Sequence, residues 1–80
     1  MKELVEYIVK SLVDDPDAVH VDEYVDRSAT TLELSVAAPD MGRVIGKNGR
    51  VINSIRSLLQ VLADKEGKQV SLEVLEANTR

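Results

Sequence analysis

Val44-Ile45-Gly46-Lys47-Asn48-Gly49-Arg50-Val51-Ile52-Asn53-Ser54-Ile55 is the run whose reading decides the fold of this 80-residue chain. Two glycines three apart interrupt an otherwise helical apolar pattern. Lacking side chains, they let the backbone bend sharply and let another chain approach closely. Ile52 and Ile55 restart the helical spacing, so Gly46 closes one helix and Gly49 opens the next. The unpaired amides and the dipole at the start of that second helix favour an anion. Lys47 and Arg50 add positive charge there, and Asn48 adds hydrogen-bonding capacity. Such a loop can hold a sugar-phosphate backbone but cannot read a base.

Working outward, Asp40 is placed as an N-cap for a short helix through Ile45, its carboxylate accepting from first-turn amides. The second helix is expected from about Gly49 to Lys65, with Gly67 as its stop. Toward the N-terminus, Leu4, Val5, Ile8, Val9 and Leu12 recur at helical spacing until Asp14-Asp15-Pro16 ends the helix. Val19, Val21, Tyr24 and Val25 suggest a strand whose alternation slips near Asp22-Glu23, where a bulge is expected. Arg27-Ser28-Ala29 reads as a turn, after which Leu32, Leu34 and Val36 alternate with polar residues as a half-buried strand. Val70, Leu72 and Val74 form a last strand, and Ala77 to Arg80 are expected to fray. The reading is one α+β domain over residues 1–80, in the order helix, strand, strand, short helix, long helix, strand.

The charge is distributed to match. There are 14 acidic and 10 basic residues, a net −4, which argues against a generally nucleic-acid-binding surface. Yet Met41 to Ala63 holds Arg43, Lys47, Arg50 and Arg56 and no acid, a segment of +4 that leaves −8 on the rest. Attraction for a polyanion is therefore confined to one place. The acids Asp14, Asp15, Asp17, Asp22, Glu23 and Asp26 lack calcium-loop spacing and read as a solvated face. No cysteine is present, and His20 stands alone on the polar side of a strand, so no metal site or cofactor is expected. Gly42 through Asn48 is one spacer residue short of a nucleotide-binding P-loop and carries Asn48 where magnesium needs Ser or Thr. With only Tyr7 and Tyr24 as aromatics, both read as packing, a stacking platform is excluded. No enzymatic constellation emerges. The acidic start resembles no signal peptide and no stretch is long enough to span a membrane, so a cytoplasmic protein is expected.

The quoted run follows the pattern V-I-G-x-x-G-x-x-I-x-x-I and resembles that of KH domains, which hold single-stranded RNA. The element order resembles the type II KH fold, three strands in a mixed sheet backed by helices. With Pro39-Asp40-Met41-Gly42-Arg43-Val44-Ile45-Gly46 and the short length, the chain is similar to the small stand-alone bacterial KH proteins of the KhpA family. The resemblance implies a non-enzymatic RNA-binding protein, in post-transcriptional regulation or RNA chaperoning. RNA would be held by Gly46, Lys47, Asn48, Gly49 and Arg50, with Arg43 near enough to reach a phosphate. Arg43 and Arg56 are each open as a phosphate contact or a solvated helix arginine, with Arg56, farther from the loop, the weaker candidate of the two. Val44, Ile45 and Ile52 are the candidates for an apolar floor under the bases, with the strand Leu32 to Val36 alongside; periodicity leaves Ile45 and Ile52 open as either groove or core.

The long helix carries apolar residues over an arc of about 200°, wider than the arc of a little over 100° that one buried face needs. The excess edge of Val51, Leu58 and Val61 is expected to meet a second copy in a symmetric homodimer. The resemblance also implies a larger, multi-domain KH protein as a partner. The alternative is a KH-fold interaction module that works mainly through such pairing.

Overall fold

The computed structural model describes residues 1–75; the tail from Ala77 expected to fray lies outside them. Helix α1 spans Lys2–Leu12, strands β1 and β2 span His20–Asp26 and Ala29–Ser35, helix α2 is Met41–Ile45, helix α3 is Arg50–Lys65 and strand β3 is Gln69–Val74. This is the α-β-β-α-α-β order read from the sequence. The sheet order is β1-β2-β3, with β2 antiparallel to β1 and parallel to β3. The parallel pairing is possible because α2 and α3 carry the chain back across before β3 begins.

One face of the sheet is covered. Alternation turns Val21, Leu32, Leu34, Val36 and Leu72 inward, where they meet Val5 and Val9 of α1, Val44 of α2 and Ile52, Ile55 and Leu59 of α3. Each such side chain stabilises the fold by about 1.5–3 kcal/mol through burial. Helix α1 packs on β1 and α3 on β3, while α2 is wedged against both helices. Gly67, at φ +69°, terminates α3, and the Lys68 amide donates back to the Ala63 carbonyl at 2.9 Å.

Three expectations are corrected. Strand β1 has no bulge: its register to β2 runs without interruption from His20↔Ser35 to Asp26↔Ala29. The apparent slip arises because Tyr24 stands on the outer face while Val25, on the inner side, stays largely exposed. The turn is only Arg27-Ser28, with Ala29 already paired and Arg27 at φ +57°. The tyrosines are not packing residues, since Tyr7 and Tyr24 are 72% and 55% exposed.

Candidate nucleic-acid interface

Between α2 and α3 the backbone visits positive φ three times, at Gly46 (+78°), Asn48 (+57°) and Gly49 (+75°). Gly46, with ψ 170°, occupies a region almost closed to side chains. A Cβ there would lie 2.5 Å from Val51 Cγ2 and 2.8 Å from the Val51 amide nitrogen. Gly49 is less confined, a Cβ meeting only Asn53 Nδ2 at 3.4 Å. The Gly46 amide donates to Gly42 O at 2.8 Å and the Gly49 amide to Gly46 O at 3.1 Å. The amides of Lys47 and Asn48 take no part in these bonds. Lys47, Asn48 and Arg50 are all exposed around them. The loop thus offers backbone donors, an amide side chain and two cations on one exposed turn.

Asp40 differs from its expected role. It stands at the N-cap position of α2 but makes no capping bond. A 3₁₀ turn, Ala38–Asp40, runs directly into α2, and the Met41 amide finds the Ala38 carbonyl. The carboxylate, only 2% exposed, instead accepts from the Asp14 and Asp15 amides at 3.1 Å each. Asp14 in turn pairs with Arg43 at 3.4 Å, so Arg43 reaches the solvent already engaged with a carboxylate.

The apolar candidates separate. Val44 is fully buried and Ile52 nearly so, both as members of the core, and neither presents surface to a base. Ile45 is half-buried at the loop. The Leu32 to Val36 strand does not border an open groove either: β2 is the central strand and its inward side chains are covered. The strand beside α3 is the edge strand β3. Between them lies an open groove of about 370 Å³ lined by Arg56, Leu59, Gln60 and residues 70–73. The sequence reading missed it. Its signal is faint: Asn53, Arg56 and Gln60 follow one another at i, i+3 and i+7, a polar stripe beside the apolar face of α3.

On the other side of α3, Leu58 and Val61 are 45% and 58% exposed, while Val51 lies half-buried against the core and under Gly46. No helix among the described residues is long and apolar enough to cross a membrane.

Comparison with known proteins agrees with this geometry. Residues 2–74 match the family model described as KhpA/KhpB, KH domain. The chain is 51% identical over 75 residues to RNA-binding protein KhpA of Clostridium perfringens, an alignment covering 94% of this chain and 100% of that protein. It is 46% identical over 76 residues to RNA-binding protein KhpA of Chlamydia caviae, covering 95% and 97%. Among solved structures it superimposes on part of an Era variant from Aquifex aeolicus bound to GDP.AlF4- (TM-score 0.64, 19% identity, 95% of this chain and 29% of that one). A second match is Era in complex with MgGDPNP and a segment of 16S ribosomal RNA (TM-score 0.58, 20% identity, again 95% and 29%). At such identities the likeness to Era shows the fold alone.

Proposed function

The chain belongs to the KhpA/KhpB family of KH domains, and we propose that it binds single-stranded RNA by seating the sugar-phosphate backbone on Gly46-Lys47-Asn48-Gly49. It is a binding protein and not an enzyme. The observation that carries the reading is the loop itself: two glycines at positive φ, with Lys47, Asn48 and Arg50 exposed around amides left out of the loop's hydrogen bonds. Phosphate oxygens are strong acceptors, and a turn rich in donors and cations, without a carboxylate, suits them. Relatives about half identical over nearly their whole length are RNA-binding proteins by name, which supports RNA as the ligand. The 80 residues work as one KH unit in the cytoplasm, in post-transcriptional regulation or RNA chaperoning. Ile45 is the apolar residue beside the loop that a base can reach, whereas Val44 and Ile52 support it from the core. Arg43 meets Asp14 through Nη2 in an exposed pair and keeps other donors that can turn to a phosphate.

A second element of the proposal is self-association. Leu58 and Val61 form an exposed apolar edge on α3, and a symmetric pair in which each α3 packs on its copy would cover it. Val51 contributes its exposed part. The same edge can receive a larger KH protein, which the joint KhpA/KhpB family supports.

The direct test is replacement of Lys47 and Asn48 together by Asp, shifting the local charge by −2 and −1. Binding to a single-stranded oligoribonucleotide should vanish while the thermal midpoint stays nearly constant, because both side chains are exposed. For the parent, log affinity should fall against log salt with a slope of roughly −2 to −3, at about −0.7 per neutralised phosphate. A double variant that binds as tightly as the parent overturns the loop assignment.

A further inference from the structure

The loop contains a dipeptide with a chemistry of its own. Asn48 is followed by Gly49, whereas the other two asparagines, Asn53 and Asn78, precede Ser54 and Thr79. The backbone nitrogen that follows an asparagine can attack the side-chain amide carbon. Glycine is the most permissive residue in that place, having no side chain to block the approach and little restriction on its dihedrals. Asn48 is also exposed.

The folded loop holds the two reacting atoms apart. Asn48 sits at φ 57° and ψ 26°. At that ψ the Gly49 nitrogen lies on the far side of the Cα–C bond from Asn48 Cβ, whereas closing a succinimide ring needs the two nearly eclipsed. The peptide must therefore turn through nearly half a revolution. Two bonds oppose the turn: the Gly49 amide donates to the Gly46 carbonyl at 3.1 Å, and the Arg50 amide donates to the Lys47 carbonyl. Gly49 is in addition the N-cap of α3. Attack thus waits for the loop to open, a local event less costly than global unfolding. Asn53 lies inside α3, where the helix blocks the same rotation.

We propose that Asn48 is a self-modification site: when the Gly46–Gly49 loop opens, Asn48 deamidates spontaneously, and the loop loses its hold on phosphate. The Gly49 nitrogen forms a bond to Asn48 Cγ as the Cγ–Nδ2 bond breaks, and the Gly49 amide proton leaves with Nδ2 as ammonia. Water then opens the ring. Cleavage between Cγ and the nitrogen gives aspartate at position 48 on an unaltered backbone. Cleavage between the main-chain carbonyl carbon and the nitrogen gives isoaspartate, with the chain rerouted through Cβ. The new acid passes its proton to ammonia, so an amide and water become a carboxylate and an ammonium ion with no oxidation or reduction. Either product puts a carboxylate between Lys47 and Arg50. The consequence for RNA rests on the loop reading above. A phosphate seated on the loop favours the closed conformation, so bound chains are protected by the factor 1 + [L]/Kd, about tenfold at a free RNA concentration of about 10 Kd.

The chain is kept warm in buffer with and without excess single-stranded oligoribonucleotide, beside a synthetic peptide of residues 45–51. Mass-spectrometric peptide mapping, with enzymatic methylation of isoaspartate, reads each site. Asn48 should convert faster than Asn53, at a rate about tenfold or more below that of the peptide because the loop must open first. RNA should slow the conversion by about another tenfold. The converted chain, separated by anion exchange, should bind the oligoribonucleotide about tenfold more weakly, since a carboxylate then faces the phosphate. Asn48→Asp supplies the unrearranged product directly and should show the same weakening with a thermal midpoint close to the parent, because aspartate also tolerates the left-handed region. Conversion of Asn48 no faster than that of Asn53, or as fast as in the peptide, overturns the proposal. So do a converted chain and an Asn48→Asp variant that bind as tightly as the parent while the Lys47/Asn48 double variant does not bind, a result that leaves the loop reading standing. A double variant that binds like the parent overturns the loop reading and the RNA consequence together, whatever the conversion rates.

Discussion

The carboxylate of Asp40 and the backbone amide of Asp14 are joined at 3.1 Å, with the Asp15 amide on the second oxygen at the same distance. This pins the start of α2 to the connection that follows α1, and so fixes the helix from which the Gly46 loop departs. Replacing Asp40 by Ala strands two donors and should cost about 2 kcal/mol, lowering the thermal midpoint by about 8–16 °C in a domain of this size. Asp40→Asn should be nearly as harmful, because its amide group faces an N–H with another N–H. Calorimetry decides, and an unchanged midpoint in both variants would contradict the arrangement. Hydrogen exchange at Asp14 and Asp15 should accelerate together.

The two loop glycines are not equivalent. Gly46→Ala puts a methyl group against Val51 in a backbone region almost reserved for glycine, and should cost about 3 kcal/mol or more. Gly49→Ala meets only the end of the Asn53 side chain and must bear a left-handed conformation, about 1–2 kcal/mol. Thermal denaturation should rank parent above Gly49→Ala above Gly46→Ala. Equal midpoints for the two variants would show that the Gly46–Val51 contact is not as close as described.

Tyr24 is held above the ordinary tyrosine value of 10.0, first by the Glu33 carboxylate, then by Asp22, on the outer face of the sheet. Asp22 and Glu33 are register partners, and Tyr24 follows on the same side of β1. A phenol whose pKa is raised on folding keeps its proton longer in the folded chain, so this contribution to stability is complete below pH 10 and is lost as pH rises through the folded value. Glu33→Gln should bring the absorbance titration of Tyr24 back toward 10. A midpoint unmoved by that substitution would assign the shift to something else.

Val61→Lys tests self-association. Val61 is more than half exposed beside Leu58, so the substitution should leave the monomer folded and abolish pairing, as read by sedimentation. A parent that remains monomeric at high concentration removes the dimer from the proposal.

Much of this protein is written locally. Periodicity placed α1, α3, β2 and β3, because inward and outward positions repeat every 3.6 residues in the helices and every two in the strands; β1 was legible through a broken alternation, and the short α2 from the punctuation of Pro39, Asp40 and Gly46. Glycine chemistry placed the loop, since only Gly46 can take its backbone angles. The acid-free segment from Met41 to Ala63 located the charge. Everything that depends on which element lies beside which had to wait for the tertiary structure. Val44 and Ile52 fall in the core because α2 is wedged between α1 and α3. Asp40 turns from its own helix to amides 25 and 26 residues away. Arg43 is paired with Asp14, and Arg56, sixteen residues from Leu72, is tied to an edge carbonyl. That carbonyl is open only because β3 joins the sheet parallel to β2 at its margin. Local pattern records what each residue favours within its own turn or strand, whereas hydrogen bonds and burial across the sheet are settled by the packing of segments far apart in the chain.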